Sequence, residues 1–145
     1  MEPDSTPINK PELTNRTAVV IDKDLATWQQ LNVVAFLASA IASNFPETMG
    51  KEFKDSSNKN YLSIFRVPVL VFEGTGEQVR RAYERARARG LAVGIYTRDI
   101  FKTQGDDNWT AIAAKTEAEQ DLVGTVMYGA RSPVSKAVDG LELHK

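Results

Sequence analysis

The sequence contains no cysteine, only one histidine and no long apolar run. Without cysteine there is no disulfide, no thiolate nucleophile and no cysteine zinc site. The lone His144, next to the C-terminus, cannot form a histidine metal cluster, and its position argues against a Ser-His-Asp mechanism. No apolar stretch reaches the roughly 18 residues that a membrane-spanning helix needs. We therefore expect a cytoplasmic protein with no metal, no cofactor and no membrane segment.

An excess of charge of one sign is also missing. Lys and Arg number 18 against 19 Asp and Glu, which gives a net charge of -1 at pH 7. This balance provides no global attraction to nucleic acid or to an anionic membrane. Five arginines nevertheless share one predicted helix: Arg80, Arg81, Arg85, Arg87 and Arg89. Because Glu77 and Glu84 lie on the same helix, a solvated charged surface is the favoured interpretation, and binding of tRNA is the less favoured one.

The chain of 145 residues predicts a single domain. Residues 1–15 are polar, contain Pro3, Pro7 and Pro11, and lack the basic and apolar regions of a signal peptide. We expect them to form a flexible tail. The folded domain is expected to cover residues 16–145.

Apolar runs alternate with helical patterns along this domain. Predicted strands cover residues 17–22, 67–73, 91–97 and 122–128, and residues 141–143 could close the sheet as an edge strand. Predicted helices cover about 25–43, 76–89 and 107–114, and a short one opens at Ser132-Pro133. This alternation predicts a three-layer α/β/α fold, in which helices cover both faces of a mixed, mainly parallel four-stranded sheet.

The helix that follows the first strand is apolar almost all round. Its apolar residues form two sides: Trp28, Leu31, Ala35, Ala38 and Ala42 on one, and Val33, Phe36, Leu37, Ala40 and Ile41 on the other. A helix with two apolar faces needs a sheet below it and a second helix or a second subunit above it. A homodimer is therefore expected, and a homodimeric interaction module is one functional hypothesis.

Two connecting segments have distinctive compositions. Gly74 to Gly76 joins a strand to a helix as in dinucleotide-binding turns, but Val79 occupies the third glycine position, so a tight turn is favoured. Thr75 and Gln78 have the spacing of a capping box. Residues 44–60 show no periodicity and are predicted to be a long loop, either mobile or functional.

Polar side chains follow the third predicted strand. Asp99, Lys102, Thr103 and Gln104 lie just past its C-terminal end, where open parallel sheets place their ligand sites. Asn32 on the first helix would add an amide to such a site. The alternative is that Asp99 and Thr103 cap a turn through backbone N–H groups, and the pattern fits both interpretations equally.

Two family resemblances emerge from these residues. The segment Asp22-Lys23-Asp24-Leu25-Ala26-Thr27-Trp28-Gln29-Gln30-Leu31-Asn32-Val33, the apolar helix after it and the terminal Gly140 to His144 resemble domain-of-unknown-function family 2000. That resemblance covers about Thr17 to Lys145. The sequence also resembles the archaeal-type (type II) peptidyl-tRNA hydrolases, whose fold that family shares. The resemblance therefore implies a peptidyl-tRNA hydrolase II-like fold.

The hydrolase motifs are matched only in part. Those enzymes carry the loop Asp-x-x-Arg-Thr-Gln, which here reads Asp99-Ile100-Phe101-Lys102-Thr103-Gln104, with lysine in place of arginine. Their first helix carries a lysine, a glutamine and a histidine, where this sequence has Asn32, Phe36 and Ser39. Cleavage of the ester builds negative charge on the carbonyl oxygen, which a preorganised cation stabilises. Since Asn32 has no charge, we expect the parent reaction to be lost. An active hydrolase of peptidyl-tRNA or a related ester, using Asp99 with Lys102 or Asn32, is the alternative.

The expected site is a pocket between the first helix and the Asp99 to Gln104 loop, under residues 44–60. Its expected ligand-binding residues are Trp28, Asn32, Phe36, Asp99, Thr103 and Gln104. For Trp28, a plain core position is the stronger interpretation, because aromatic residues at helical spacing are more often core. Phe36 makes the pocket more apolar, which favours an unknown small, partly apolar molecule over an RNA terminus. The sequence thus predicts a small-ligand-binding or regulatory domain.

Overall fold

The computed structural model describes residues 14–145. Its strands are β1 (Asn15–Asp22), β2 (Phe53–Lys54), β3 (Asn60–Tyr61), β4 (Leu70–Gly74), β5 (Ala92–Thr97), β6 (Leu122–Ala130) and β7 (Glu142–Leu143). Its α-helices are α1 (Thr27–Asn44), α2 (Gly76–Ala88), α3 (Asp107–Ala113) and α4 (Arg131–Ala137). Short 3-10 turns cover Pro46–Thr48, Arg98–Lys102 and Glu117–Glu119. The predicted tail lies outside the described residues up to residue 13, and its last position, Asn15, already opens β1.

The main sheet is mixed and has five strands in the order β5-β6-β1-β4-β7. Only β1 and β4 are parallel, whereas β1 with β6, β5 with β6, and β4 with β7 are antiparallel. The prediction of a mainly parallel four-stranded sheet is therefore wrong. A parallel neighbour requires a crossover along the sheet face. The short α3 instead packs against the Arg98–Lys102 turn, so β6 runs back antiparallel beside β5.

Helices cover both faces of this sheet, as the alternating elements predict. On one face, Val33, Leu37 and Ile41 of α1 pack on Val19 and Ile21 of β1. On the other face, α2 and α4 pack on the alternate β1 residues Ala18 and Val20, through Val79, Ala82, Ala86, Val134 and Ala137. Successive strand residues point to opposite faces, so the continuous apolar run of β1 supplies both cores.

A glycine lets α1 approach the sheet closely. Gly124 lies in β6, an interior strand of the sheet, directly under α1. A Cβ atom at this position would lie 2.5 Å from Val33 Cγ1 and 3.1 Å from Leu37 Cδ1. The two buried helix residues thus occupy the space that any larger side chain would need. This contact therefore sets how closely α1 packs against the sheet.

The segment predicted as a structureless loop is partly ordered by a carboxylate. Asp55 accepts hydrogen bonds from the Ser57 N–H at 2.8 Å, the Lys59 N–H at 3.0 Å and the Tyr61 hydroxyl at 2.7 Å. These bonds close a short hairpin of β2 and β3, in which Asn58 has a φ of 64°. The Tyr61 hydroxyl and the Lys59 N–H hold the pKa of Asp55 below its ordinary value.

The ends of this segment are anchored at the C-terminal end of α1. Phe45 stacks on Tyr128 at 4.5 Å between ring centroids, and the Arg66 N–H donates to the Thr48 carbonyl at 2.8 Å. Trp28 lies at the opposite end of the 18-residue helix. These contacts hold residues 44–60 at the far end of α1, so they do not support the prediction that this segment covers a pocket at Trp28. Within residues 14–145, no helix combines the length and the apolar character that crossing a membrane requires.

Candidate functional site

The start of α1 is held by two glutamine side chains. Gln29 Oε1 accepts from the Ala26 N–H at 3.1 Å, and the buried Gln30 donates from Nε2 to the Lys23 carbonyl at 3.2 Å. Leu25 is also buried, and its packing in the core anchors the connection between β1 and α1. The first turn of α1 is therefore fixed relative to the sheet, and with it the direction of Trp28.

Four aromatic side chains form a continuous series across the edge of α1, which we call the ring chain. Trp28 meets Phe101 at 6.2 Å between centroids, Phe101 meets Tyr96 at 5.1 Å, and Tyr96 meets Phe36 at 5.5 Å. Edge contacts of this kind are favourable for aromatic pairs. Burial raises the pKa of Tyr96, so its hydroxyl is neutral at physiological pH. The ring chain links α1 to β5 and to the Arg98–Lys102 turn.

Trp28 and Phe36 are exposed rather than core residues. Trp28 is 60% exposed and Phe36 is 52% exposed, although both were assigned from the sequence to apolar sides of the helix that could pack inside. The core interpretation of Trp28 is wrong, because Val33, Leu37 and Ile41 already present a complete stripe to the sheet. Two large rings consequently remain at the surface at one edge of the helix.

Asn32 lies between these two rings. Positions 28, 32 and 36 recur every fourth residue, so their side chains share one face of α1, about 12 Å long from Trp28 to Phe36. Asn32 is exposed, and its amide makes no hydrogen bond to any residue in the range 14–145. The structure therefore brings Trp28, Asn32 and Phe36 together beside the segment from Tyr96 to Phe101.

Asp99 has a cationic partner that the sequence did not suggest. Lys115 Nζ lies 2.6 Å from Asp99 Oδ2, and the two side chains are 38% and 41% exposed. The hydrogen bond to Asp99 raises the pKa of Lys115, which is therefore a cation at neutral pH. Lys102, which the hydrolase alternative uses together with Asp99, forms no ion pair with the carboxylates of residues 14–145. No motif connects Asp99 with Lys115, and only the path of α3 brings them together.

Thr103 and Gln104 make their contacts toward α3. The Thr103 hydroxyl hydrogen-bonds to Asn108 Oδ1 at 2.5 Å and to the Ile100 carbonyl at 3.4 Å. Gln104 is exposed, and its carbonyl accepts from the Asp107 N–H at 3.2 Å. Both contacts of the hydroxyl are with oxygen acceptors, so Thr103 does not cap the turn through backbone N–H groups as the alternative interpretation expected. Neither residue has a described contact with the ring chain.

Arg98 joins two strand ends next to the ring chain. Its Nε lies 3.0 Å from Asp121 Oδ2, and its terminal nitrogen lies 3.6 Å from Oδ2 of the almost buried Asp22. Asp22 also accepts from the Asp24 N–H at 2.9 Å. These contacts fix the turn that carries Phe101. The sequence analysis did not predict a role for Arg98. The available signal was that Asp22 ends one predicted strand and Asp121 directly precedes another.

Comparisons with known proteins assign the chain to a family. The model of a family described as protein of unknown function, DUF2000, matches residues 15–145. This chain belongs to the DUF2000 family. It is also similar to the solved structure of a protein of unknown function from Agrobacterium tumefaciens strain C58, with 28% identity and a TM-score of 0.86, over 91% of this chain and 98% of that chain. No curated protein matches the sequence.

At the site, this DUF2000 domain offers exposed aromatic rings and one amide. Charged groups stand beside it in pairs, Lys115 with Asp99 and Arg98 with Asp121. In residues 14–145 no cluster of three or more histidine, aspartate or glutamate side chains is suited to a metal ion. The site is therefore built for contact and hydrogen bonding at Trp28, Asn32 and Phe36.

Proposed function

We propose that this DUF2000 domain binds a small, planar, largely apolar ligand on the ring chain, with Asn32 as the hydrogen-bonding group. One observation carries the proposal. Trp28 and Phe36 are each more than half exposed, share a helix face, and are held edge-on by Phe101 and Tyr96. Large rings that are fixed in place and exposed to water gain free energy when a flat ligand covers them.

The chemistry of the ligand follows from the groups around it. The amide of Asn32 can donate and accept, so it suits a carbonyl, an amide or a ring nitrogen. Asp99 and Lys115 neutralise each other beside the rings, and of the charged groups of the Arg98–Lys102 turn only Lys102 lacks an ion-pair partner among residues 14–145. The distance of about 12 Å between Trp28 and Phe36 along the helix limits the ligand to a few fused or linked rings.

The proposal includes the peptidyl-tRNA hydrolase II-like fold, which the resemblance implies and with which a three-layer arrangement and a mixed sheet are compatible. Binding is favoured over ester cleavage because Asn32 offers no charge to a developing oxyanion. Loss of one such stabilising group typically costs about 10²- to 10³-fold in rate. The ammonium of Lys115 is the one observation that favours a hydrolase, and it is already held by Asp99.

Titration with the neutral fluorescent dye phenylnaphthylamine tests the binding site. We expect saturable binding to the wild type, and weakening by about tenfold in Trp28→Ala and in Phe36→Ala, because each removes one ring of the site. The matched control is Trp109→Ala, since Trp109 is the other tryptophan, is 73% exposed and lies on α3. Equal weakening by all three variants, or none by Trp28→Ala, would contradict the proposal. Mass spectrometry of small molecules retained by the purified protein would then identify the ligand.

The outer stripe of α1 favours a second candidate function, a homodimeric interaction module. Leu31 is 65% exposed and Trp28 60% exposed, Ala35 is exposed, and Ala38 and Ala42 are half-buried. In an antiparallel pair of α1 helices centred on Ala35, a twofold axis would set Trp28 of one copy over Ala42 of the other. Leu31 would likewise lie near Ala38. Bulky side chains would meet small ones, so the stripe is complementary to itself.

Size-exclusion chromatography with light scattering tests the dimer. A wild-type dimer at micromolar concentration is expected, and Leu31→Glu is expected to be a monomer because it puts a charge into the apolar contact between the two helices. Leu62→Glu is the matched control, since Leu62 is 84% exposed on the β2–β3 segment. A monomeric wild type would rule out the dimer. Phe36 lies off the stripe, so Phe36→Ala should weaken dye binding without changing the mass.

A further inference from the structure

A cleft lies between α2 and α4, on the face of the sheet opposite α1. Its larger part has a volume of about 560 Å³ and is lined by Arg85, Arg89, Ser132, Ser135, Lys136 and Asp139. A smaller cavity of about 60 Å³ adjoins it and shares Arg85 and Asp139, and adds Arg81. We call the combined space the basic cleft. It is separate from the ring chain, because the sheet lies between them.

Three arginines of the basic cleft follow one line along α2. Arg81, Arg85 and Arg89 recur every fourth residue, so their Cα atoms are spaced by about 6 Å. None of them forms an ion pair within 4.0 Å with a carboxylate of residues 14–145. Their nearest acceptors are backbone carbonyls: Arg85 donates to Asp139 at 3.1 Å, and Arg89 to Arg85 at 3.5 Å.

The other arginines of α2 are partnered in a different way. Arg80 pairs with Glu84 at 4.0 Å, and Arg87 donates to the Tyr83 hydroxyl at 3.1 Å while its guanidinium lies over that ring. The arginines therefore differ in their partners, since Arg80 and Arg87 contact side chains of α2, whereas Arg85 and Arg89 donate to backbone carbonyls. Like charges spaced four residues apart on a helix repel each other. An anion in the basic cleft would relieve that repulsion for Arg81, Arg85 and Arg89.

The remaining lining groups have the same character. Lys136 adds a fourth cation, and Ser132 and Ser135 add hydroxyl groups that can donate to an oxyanion. Asp139 is the one carboxylate among the described residues that line either cavity, and it is exposed. Four cations face a single carboxylate in a chain whose overall net charge is -1. The positive potential is thus local to the basic cleft.

We propose that the basic cleft binds a small ligand with two adjacent phosphate groups, of the pyrophosphate class. Guanidinium groups bind phosphate oxygens in pairs of parallel hydrogen bonds, and arginine side chains whose Cα atoms are about 6 Å apart are long enough to converge on one diphosphate. A nucleic acid fits less well, because no aromatic side chain lines the described cavities to stack a base. The proposal does not depend on the function assigned to the ring chain.

Calorimetric titration with inorganic pyrophosphate tests this site, with orthophosphate and a single-stranded oligonucleotide as separate arms. We expect pyrophosphate to bind about tenfold more tightly than orthophosphate, because two phosphates engage more arginines. The double variant Arg85→Gln/Arg89→Gln should weaken pyrophosphate binding by about tenfold or more. Lys51→Gln/Lys54→Gln is the matched control, because it removes the same charge from exposed positions outside the cleft. This control should bind like the wild type.

Three results would overturn the proposal: no binding of pyrophosphate to the wild type, equal weakening in both double variants, or binding of the oligonucleotide alone. Equal weakening would mean a general effect of net charge. Far-ultraviolet circular dichroism verifies that each variant is folded. If Arg85→Gln/Arg89→Gln does not fold, Lys136→Gln provides the second test, since Lys136 is exposed on α4 and lines the same cleft.

Discussion

Lys115 donates a hydrogen bond to Asp99 across 2.6 Å, although sixteen residues separate them in the chain. The pair joins the Arg98–Lys102 turn to the segment that follows α3. Because Asp99 supports the charged form of Lys115, the pKa of this lysine is raised and the ammonium persists at neutral pH. Asp99 and Lys115 therefore neutralise each other at the edge of the ring chain, and Lys102 is the charged residue of that turn without an ion-pair partner in residues 14–145.

The first prediction concerns ester hydrolysis. Wild type, Asp99→Ala and Lys115→Ala should all release peptide from a model peptidyl-tRNA at the background rate, because Asn32 provides no cation for the oxyanion. Asn32→Lys restores a cation at the position that carries one in the resembling hydrolases, and a rate above background is expected for this variant. Release by the wild type that falls in Asp99→Ala would support the hydrolase instead.

The second prediction concerns the contact between α1 and the sheet. Gly124→Ala should lower the free energy of unfolding by about 1–3 kcal/mol, because its Cβ would lie 2.5 Å from Val33 Cγ1. Adding Val33→Ala should recover part of the lost stability, because it removes the Cγ1 atom with which the new Cβ would clash. Urea denaturation measures both. Gly50→Ala is the control, because its Cβ would meet its nearest neighbour at 3.4 Å and should change stability little. Additive losses in the double variant would show that this contact does not set the packing depth.

The third prediction concerns the start of α2. Thr75 Oγ1 accepts from the Gln78 N–H at 3.2 Å, and Gln78 Oε1 accepts from the Thr75 N–H at 2.8 Å. Thr75→Ala should lower the free energy of unfolding by about 1 kcal/mol, because it leaves a helix N–H without its cap. Thermal unfolding measures this loss. Thr110→Ala, at an exposed position of α3, should have a much smaller effect, and equal losses would count against the capping role.

The fourth prediction concerns acid and the β2–β3 hairpin. The Tyr61 hydroxyl and the Lys59 N–H lower the pKa of Asp55, so the carboxylate contributes hairpin stability above its unfolded pKa of about 3.9. This contribution is lost as the pH falls through the lowered folded pKa. Amide hydrogen exchange at Ser57 and Lys59 should therefore lose protection on acidification below about pH 3.9. In Asp55→Asn the protection should be weaker at all pH values and independent of this titration. An identical pH profile for wild type and Asp55→Asn would contradict the assignment.

Local patterns predicted much of the fold. The capping box at Thr75 and Gln78 lies where its spacing indicated, and β1 supplies both cores as its continuous apolar run suggested. One of the two predicted apolar sides of α1 is confirmed as a core side, since Val33, Leu37 and Ile41 are buried. These features depend on residues within a few positions of one another, so a linear pattern is sufficient to find them.

The candidate site was predicted less completely. Trp28, Asn32, Phe36 and Asp99 were predicted as site residues, although a core position was favoured for Trp28, whereas Tyr96, Phe101 and Lys115 were not predicted. Periodicity tells how many apolar stripes a helix has, and it does not tell which of them the sheet will cover. Likewise, the partner of Asp99 depends on where α3 returns along the chain.

The sequence alone was sufficient for the strands of the main sheet, the helices, the cap at Thr75 and the apolar character of α1, because each follows from short-range spacing and side-chain chemistry. The packing of distant segments set β6 antiparallel between β5 and β1, left Trp28 and Phe36 exposed and brought Lys115 to Asp99. These outcomes depend on how distant segments pack together in three dimensions. Their free energies come from contacts between residues that no local pattern connects.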